Sequence, residues 1–193
     1  MNFRLIGTVL LLASFSFAAY SGTPKTPSKV DGCYQIGSAE ELYGFAELMN
    51  TSTESQESTT CAKLTADIVV NSNVLKNDTL NNSRTDLIPW TPIVSYSGAF
   101  DGQGHKISGL YYKNDKAHGR AGFFLSVAGE SEDKHAYIKN LGIADSYFFG
   151  EMYTGAFVGF AQKLNLENVY SNSVVSGTTG VGGLIGLSSQ NIN

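Results

Sequence analysis

Apolar positions recur with two different periods along this chain, and each period marks a different kind of element. Leu42, Phe45, Ala46 and Met49 fall at i, i+3, i+4 and i+7, one stripe of a helix. Ser38-Ala39-Glu40-Glu41 stands just ahead of that stripe as a capping box, in which Ser38 accepts the Glu41 backbone N–H and Glu41 reaches back. A helix over residues 38–50 is therefore predicted, ended by Asn50 and the Thr/Ser-rich stretch 51–60. Elsewhere the pattern is that of strands. Cys33-Tyr34-Gln35-Ile36 and residues 61–70 alternate in part, and strands are also predicted on either side of the turn Asp101-Gly102-Gln103-Gly104. Residues 71–88, rich in Asn, Asp and Ser, predict a long polar surface loop; residues 19–30, with two prolines and no apolar periodicity, predict a flexible leader.

The C-terminal part repeats itself. Ile138-Lys139-Asn140-Leu141 returns as Leu166-Glu167-Asn168-Val169, 28 residues on (138 to 166). Gly155-Ala156-Phe157-Val158-Gly159 returns as Gly182-Gly183-Leu184-Ile185-Gly186, 27 residues on (155 to 182). Ser146 matches Ser173 and Gly150 matches Gly177, so one residue is lost or gained after the Asn. A repeat of this length, rich in Gly, Asn and β-branched residues, reads as one coil of a β-solenoid. A third, imperfect copy aligns Ile107-Ser108-Gly109-Leu110 with Ile138-Lys139-Asn140-Leu141, and Gly122-Phe123-Phe124-Leu125 with the segment from Gly155. The expected fold class is thus all-β, with about three coils over residues 96–193 behind an N-terminal capping region, 31–95, whose helix covers one end of the apolar interior. Asn140 and Asn168, stacked at one turn of successive coils, are expected to form a short structural amide ladder.

The N-terminus sets the compartment. Arg4, the apolar run from Leu5 to Ala13 and the small residues Ser16 and Ala18 make the three parts of a secretory signal peptide, 1–18, cleaved after Ala18. The run is shorter than the ~20 apolar residues a spanning helix needs, so no membrane span is expected once it is removed. Secretion or display at the cell surface follows. In that setting the only two cysteines, Cys33 and Cys61, favour one disulfide, worth roughly 3 kcal/mol for a loop of this size. Two thiols with no His nearby in sequence make a poor zinc set, and no metal or cofactor is expected. A formal charge of −4 without any basic run offers nucleic acid nothing to bind.

The segment from Phe100 to Leu110, Phe-Asp-Gly-Gln-Gly-His-Lys-Ile-Ser-Gly-Leu, together with Gly182-Gly183-Leu184-Ile185-Gly186, resembles the GLUG-motif proteins of bacterial surfaces. That family includes repeats of large adhesin-like exported proteins and repeats beside the catalytic domain of immunoglobulin-A-cleaving peptidases. The resemblance covers roughly residues 31–187. It implies a right-handed parallel β-helix, a bacterial source, an exported location and no enzyme activity. Members are usually much longer, so the chain is also expected to be the N-terminal part of a larger protein.

Candidate chemistry is sparse. His105, His118 and His135 form no H-E-x-x-H helix, and no cysteine lies near enough in sequence to pair with His105. Asp101 is the sharpest acidic candidate, but no acidic residue aligns with it in the later coils, which favours a turn role; no catalytic residue is assigned. Asn50, Asn77 and Asn81 each begin an N-x-Ser/Thr sequon. The remaining lead is aromatic. Tyr111, Tyr112, Tyr147, Phe149 and Tyr153 include consecutive residues, so in strands some must point outward, where they suit sugar stacking or protein contact. The expected function is a non-catalytic surface or adhesion-type module that meets carbohydrate or a surface protein. The alternative is a polysaccharide-degrading β-helix lyase or glycoside hydrolase. An open final coil is further expected to associate end to end.

Overall fold

The computed structural model describes residues 20–51, 60–131 and 133–189. The predicted signal sequence, 1–18, and its expected cleavage point lie outside these residues. Among the described residues the fold is all-β apart from one helix, α1 (Ala39–Thr51).

Most of the strands are stacked in parallel and in register. β2 (Cys33–Ile36), β3 (Cys61–Leu64), β7 (Ala99–Asp101), β11 (Ala136–Thr154) and β13 (Leu164–Val181) follow one another in a single sheet. β4 (Ile68–Val69), β8 (Lys106–Ser108) and β9 (Tyr111–Asn114) extend it, the first pairing with the second, and the other two pairing with successive parts of β11. β10 (Phe124–Ala128), β12 (Val158–Gln162) and β14 (Ile185–Ser188) form a second parallel sheet. The breaks between the partners of β11 fall at Asn140 (φ 51°) and Asp145 (φ 44°), where left-handed backbone turns the strand. Asn and Asp tolerate that conformation better than other side chains, which is why they stand at the corners.

Alternate residues point inward and make columns across the rungs. Tyr34, Ala62, Phe100 and Ile138 form one buried column that continues to Leu166, and Ile68, Ile107 and Ile143 form another. Phe124 and Val158 lead to Ile185 in the same way. Leu166, Val169, Val175, Leu184 and Ile185 of β13, β14 and the turn between them are only partly buried, whereas the residues stacked beneath Val169 and Val175, Leu141 and Phe148, are 1% and 0% exposed.

The two clear repeats stack as their sequences align, with Ile138 beside Leu166, Gly150 beside Gly177 and a one-residue slip located between Ala144 and Tyr147. The third copy stacks differently. Phe100, not Ile107, lies beside Ile138, and Ile107 lies beside Ile143. The sequence match placed Ile107 five positions short of its partner (143 − 138), and the corners also differ: from Asp101 to Lys106 the chain takes five steps where Lys139 to Gly142 takes three (106 − 101 against 142 − 139). Parallel pairing also reaches back through β4 and β3 to β2, two levels beyond the sequence repeat.

α1 closes the N-terminal side. Its predicted stripe is buried, and the Phe45 ring packs against Tyr34, Tyr96 and Phe100. Ser38 Oγ accepts the Glu41 N–H, while the Glu41 carboxylate accepts from Gly37, one residue before the predicted partner. Residues 20–30, expected to be flexible, lie against this helix. Tyr20 stacks on Tyr43 at 4.0 Å, Lys25 donates its backbone N–H to Glu40, and β1 (Ser28–Val30) pairs antiparallel with β2. Gly44 permits the crossing: a Cβ there would sit 2.0 Å from the Lys25 carbonyl oxygen. Cys33 and Cys61 form the expected disulfide between partners of adjacent rungs, with Cα atoms 4.7 Å apart. No helix among the described residues is long and apolar enough to cross a membrane.

Candidate functional site

Strand register decides which aromatics face out. Phe148 is buried in register with Tyr112 and Val175, so the flanking positions Tyr111/Tyr147 and Lys113/Phe149 turn to the outer surface. Tyr111 and Tyr147 stack with ring centroids 6.1 Å apart, and the Lys113 ammonium lies 5.8 Å from the Phe149 centroid while pairing with Asp115. Burial raises the pKa of the Tyr147 hydroxyl. Tyr111, Tyr147 and Phe149 make a half-buried strip with the exposed Lys113 beside it. Tyr112 is not part of it: its side chain packs against the core. Tyr153 belongs to another cluster, at a left-handed corner (φ 53°), where Arg120 lies over both its ring and that of Phe160. Phe160 was not picked out by the sequence, because it stands just past the Gly155–Gly159 repeat segment and has no aromatic neighbour to give a parity signal.

Tyr111 forms one wall of a cleft of about 230 Å³ whose other walls are Leu80, Asn81, Asn82, Arg84, Thr85 and Leu87. These belong to the polar loop, which carries a short hairpin of β5 (Leu75–Lys76) and β6 (Thr79–Leu80). The loop is pinned at three places. The Asn71 amide donates to the Ile88 and Gly109 carbonyls and accepts the Ile88 N–H; it is a buried polar side chain with every bond made inside the protein. Asp145 accepts the Val74 and Leu75 N–H groups. Arg84 is held by Asp86 and by the Ser72 carbonyl, so its charge is committed to the loop. What the cleft offers a ligand is an aromatic face beside amide and hydroxyl groups.

Acidic groups elsewhere are tied to structure. Asp101 accepts the Gln103 N–H and the Asn140 amide, and Lys139 lies 3.5 Å away. Burial alone would raise its pKa, but those hydrogen bonds and the Lys139 charge outweigh burial and hold it below the ordinary carboxylate value. Glu151 accepts the His118 N–H. His105 Nδ1 lies 3.2 Å from Asp67 Oδ1, an oxygen that also accepts the Lys106 N–H. This pair fastens β8 to the bend after β3, and no hydroxyl is hydrogen-bonded to the His105 ring among the described residues. Nor does any group of three or more His, Cys, Asp or Glu residues there have metal-holding geometry.

The Asn ladder forms, and it has a third member. Asn168 Nδ2 donates to Asn140 Oδ1 at 2.9 Å, and Asn140 Nδ2 donates to Asp101 Oδ1 at 3.1 Å. Of the sequons, Asn50 spends its amide on Pro92 and Val94, and Asn81 on Asn73 and Ser83. Asn77 stands exposed in the β5–β6 turn at φ 51°.

No family model matches this chain, and no solved structure matches it. Among known proteins, halomucin of Haloquadratum walsbyi is 34% identical over 95 residues, which is 49% of this chain and 1% of halomucin. The chain is therefore similar over half its length to one small stretch of a far longer protein.

Proposed function

We propose that this chain is an exported, non-catalytic surface module of the GLUG-repeat kind, built as a right-handed parallel β-helix, that presents its outer aromatic strip to glycans. The observation that carries the reading is the strip Tyr111, Tyr147 and Phe149 beside the pinned amide-lined cleft. Neutral sugars are recognised by this combination: apolar ring faces stack on tyrosine, and amides exchange hydrogen bonds with hydroxyls. Pinning of the loop by Asn71 and Asp145 supports pre-organisation, which lowers the entropy lost on binding. The commitment of Asp101, Asp145 and Glu151 to backbone and amide partners favours binding over hydrolysis or elimination, which need converging free carboxylates. The disulfide and the partial similarity to halomucin support an extracellular location.

The test is affinity electrophoresis through gels containing soluble polysaccharides, alongside assay of released reducing ends. The protein should be retarded by at least one polysaccharide. Tyr111→Ala should weaken retardation about tenfold, the loss of one ring-stacking contact of about 1.4 kcal/mol, without changing the circular dichroism spectrum. Retardation unaffected by Tyr111→Ala and Tyr147→Ala would remove the strip from the site, and bond cleavage would favour the enzyme reading.

A further inference from the structure

The ladder through the corner of the coils has a direction, and one residue fixes it. Asp101 carries a carboxylate, which accepts hydrogen bonds and has none to give when ionised. Asn140 must therefore turn its NH2 toward Asp101, which leaves Oδ1 facing the next rung, where it receives the Asn168 NH2. By the same logic Asn168 Oδ1 faces outward from the last rung, and no donor reaches it among the described residues. Asn140 and Asn168 share left-handed backbone, with φ of 51° and 49°.

The neighbouring column has a sign rule. Lys63, Asp101, Lys139 and Glu167 lie in register on four successive rungs, and their charges alternate. Lys139 bonds to Asp101 at 3.5 Å, and Glu167 ends the column exposed on its outer side. Beside it Leu166, Val169, Val175 and Ile185 keep part of their apolar surface in water. No described strand pairs with the outer edge of β13 or β14.

We propose that this edge is a docking surface for one further coil of the same kind. That coil carries Lys or Arg opposite Glu167, a left-handed Asn donating to Asn168 Oδ1, and aliphatic residues over Leu166 and Val169. Charge complementarity and the acceptor polarity select that partner. A second copy of this chain docked edge to edge would set one outward acceptor against another and bring two Glu167 side chains to the same interface. Docked head to tail, it would offer the antiparallel β1 and α1, which have no amide at the ladder position. The segment Lys139-Asn140-Leu141 has the required pattern, so a copy of its coil is a suitable probe. The inference rests on the β-helix reading of the stack and is independent of glycan binding.

The test puts a copy of residues 136–163 after Gln190, in place of residues 191–193, and compares it with a copy of scrambled order in the same place. The native copy should raise Tm by roughly 5 °C or more over the scrambled one, with the extended protein monomeric by light scattering. Lys139→Glu made only in the copy should remove part of that gain, and adding Glu167→Lys should restore it. Equal Tm for native and scrambled copies would overturn both the docking surface and the β-helix reading. A native gain that ignores the charge reversal would leave the stack standing and overturn the partner rule. Dimerisation of the unextended chain through this edge, abolished by Glu167→Lys, would overturn the choice of occupant.

Discussion

Asn140 is where backbone conformation and the amide ladder can be separated by mutation. Asn140→Ala removes a donor to a carboxylate and an acceptor for Asn168, and leaves a β-carbon at φ 51°. Two partly exposed hydrogen bonds contribute about 1–2 kcal/mol together. Ala in left-handed backbone costs about 1 kcal/mol more than Asn does. The expected loss is therefore about 2–3 kcal/mol. Asn140→Gly forfeits the same bonds but accepts the backbone freely, so it should cost about 1 kcal/mol less than Ala even after allowing for glycine's freedom in the unfolded chain. Asn168→Ala loses one bond on an exposed rung and keeps the backbone penalty, so its cost should fall below that of Asn140→Ala by about 1 kcal/mol. Urea titration followed by circular dichroism and by fluorescence of Trp90 measures all three. Trp90 is the only tryptophan, is 1% exposed and stacks on Phe123, so it reports core integrity, and agreement of the two probes licenses the two-state treatment. Equal costs for Asn140→Ala and Asn140→Gly would refute the backbone part of this reasoning. A cost at Asn168 as large as that at Asn140 would refute the ladder part.

Gly109→Ala should be severe: the residue has φ 78°, and an added Cβ would meet the Asn71 carbonyl oxygen at 1.8 Å, so loss of the cooperative urea transition or rapid proteolysis within 71–88 is expected, and a wild-type midpoint would contradict it. Cys33→Ser and Cys61→Ser should each lower stability by about 3 kcal/mol, and reduction of the wild-type protein should reproduce that midpoint; an unchanged midpoint on reduction would show that the bridge contributes nothing. Acid should weaken the ladder. Because the folded Asp101 pKa lies below its ordinary 3.8, the stabilisation is fully present above that pH and is lost as pH falls through the folded value. Asn140→Ala should therefore flatten the acid limb of the stability curve, and parallel curves for the two proteins would exclude Asp101 as its source.

The parts of this structure legible from sequence are those whose signal is local. The helix stripe and its Ser38 cap were readable because three- and four-residue spacing is independent of the rest of the chain. The pairing of Ile138 with Leu166 was readable because both coils keep the same corner length, and the one-residue slip was readable from the change of offset. The strands before them were misaligned because the motif match set Ile107 beside Ile138, five positions short of its partner Ile143, and a comparison anchored there cannot see that Phe100 lies beside Ile138. Parity fails for a similar reason: Tyr111 and Tyr112 are indistinguishable until the register places Phe148 inside. Asp101 was read as a turn residue without an aligned acid, and its partner is an amide one rung on rather than another carboxylate. The packing of Tyr20 and Lys25 on α1 depends on a glycine gap in a helix, which no periodicity announces.

The two sides of the stack are fastened very unequally. On one side a covalent bridge joins the Cys33 and Cys61 rungs under a helix, and on the other a coil holds its aliphatics half in water. Fraying therefore has a direction. Amide exchange should be fastest in β13 and β14 and should slow rung by rung toward β3, with each opening leaving behind a shorter version of the same fold. The described rungs should therefore open like a zipper sewn shut at the disulfide: under tension they would part from β13 and β14 first, dissipating energy in steps while the Cys33 and Cys61 rungs stay closed.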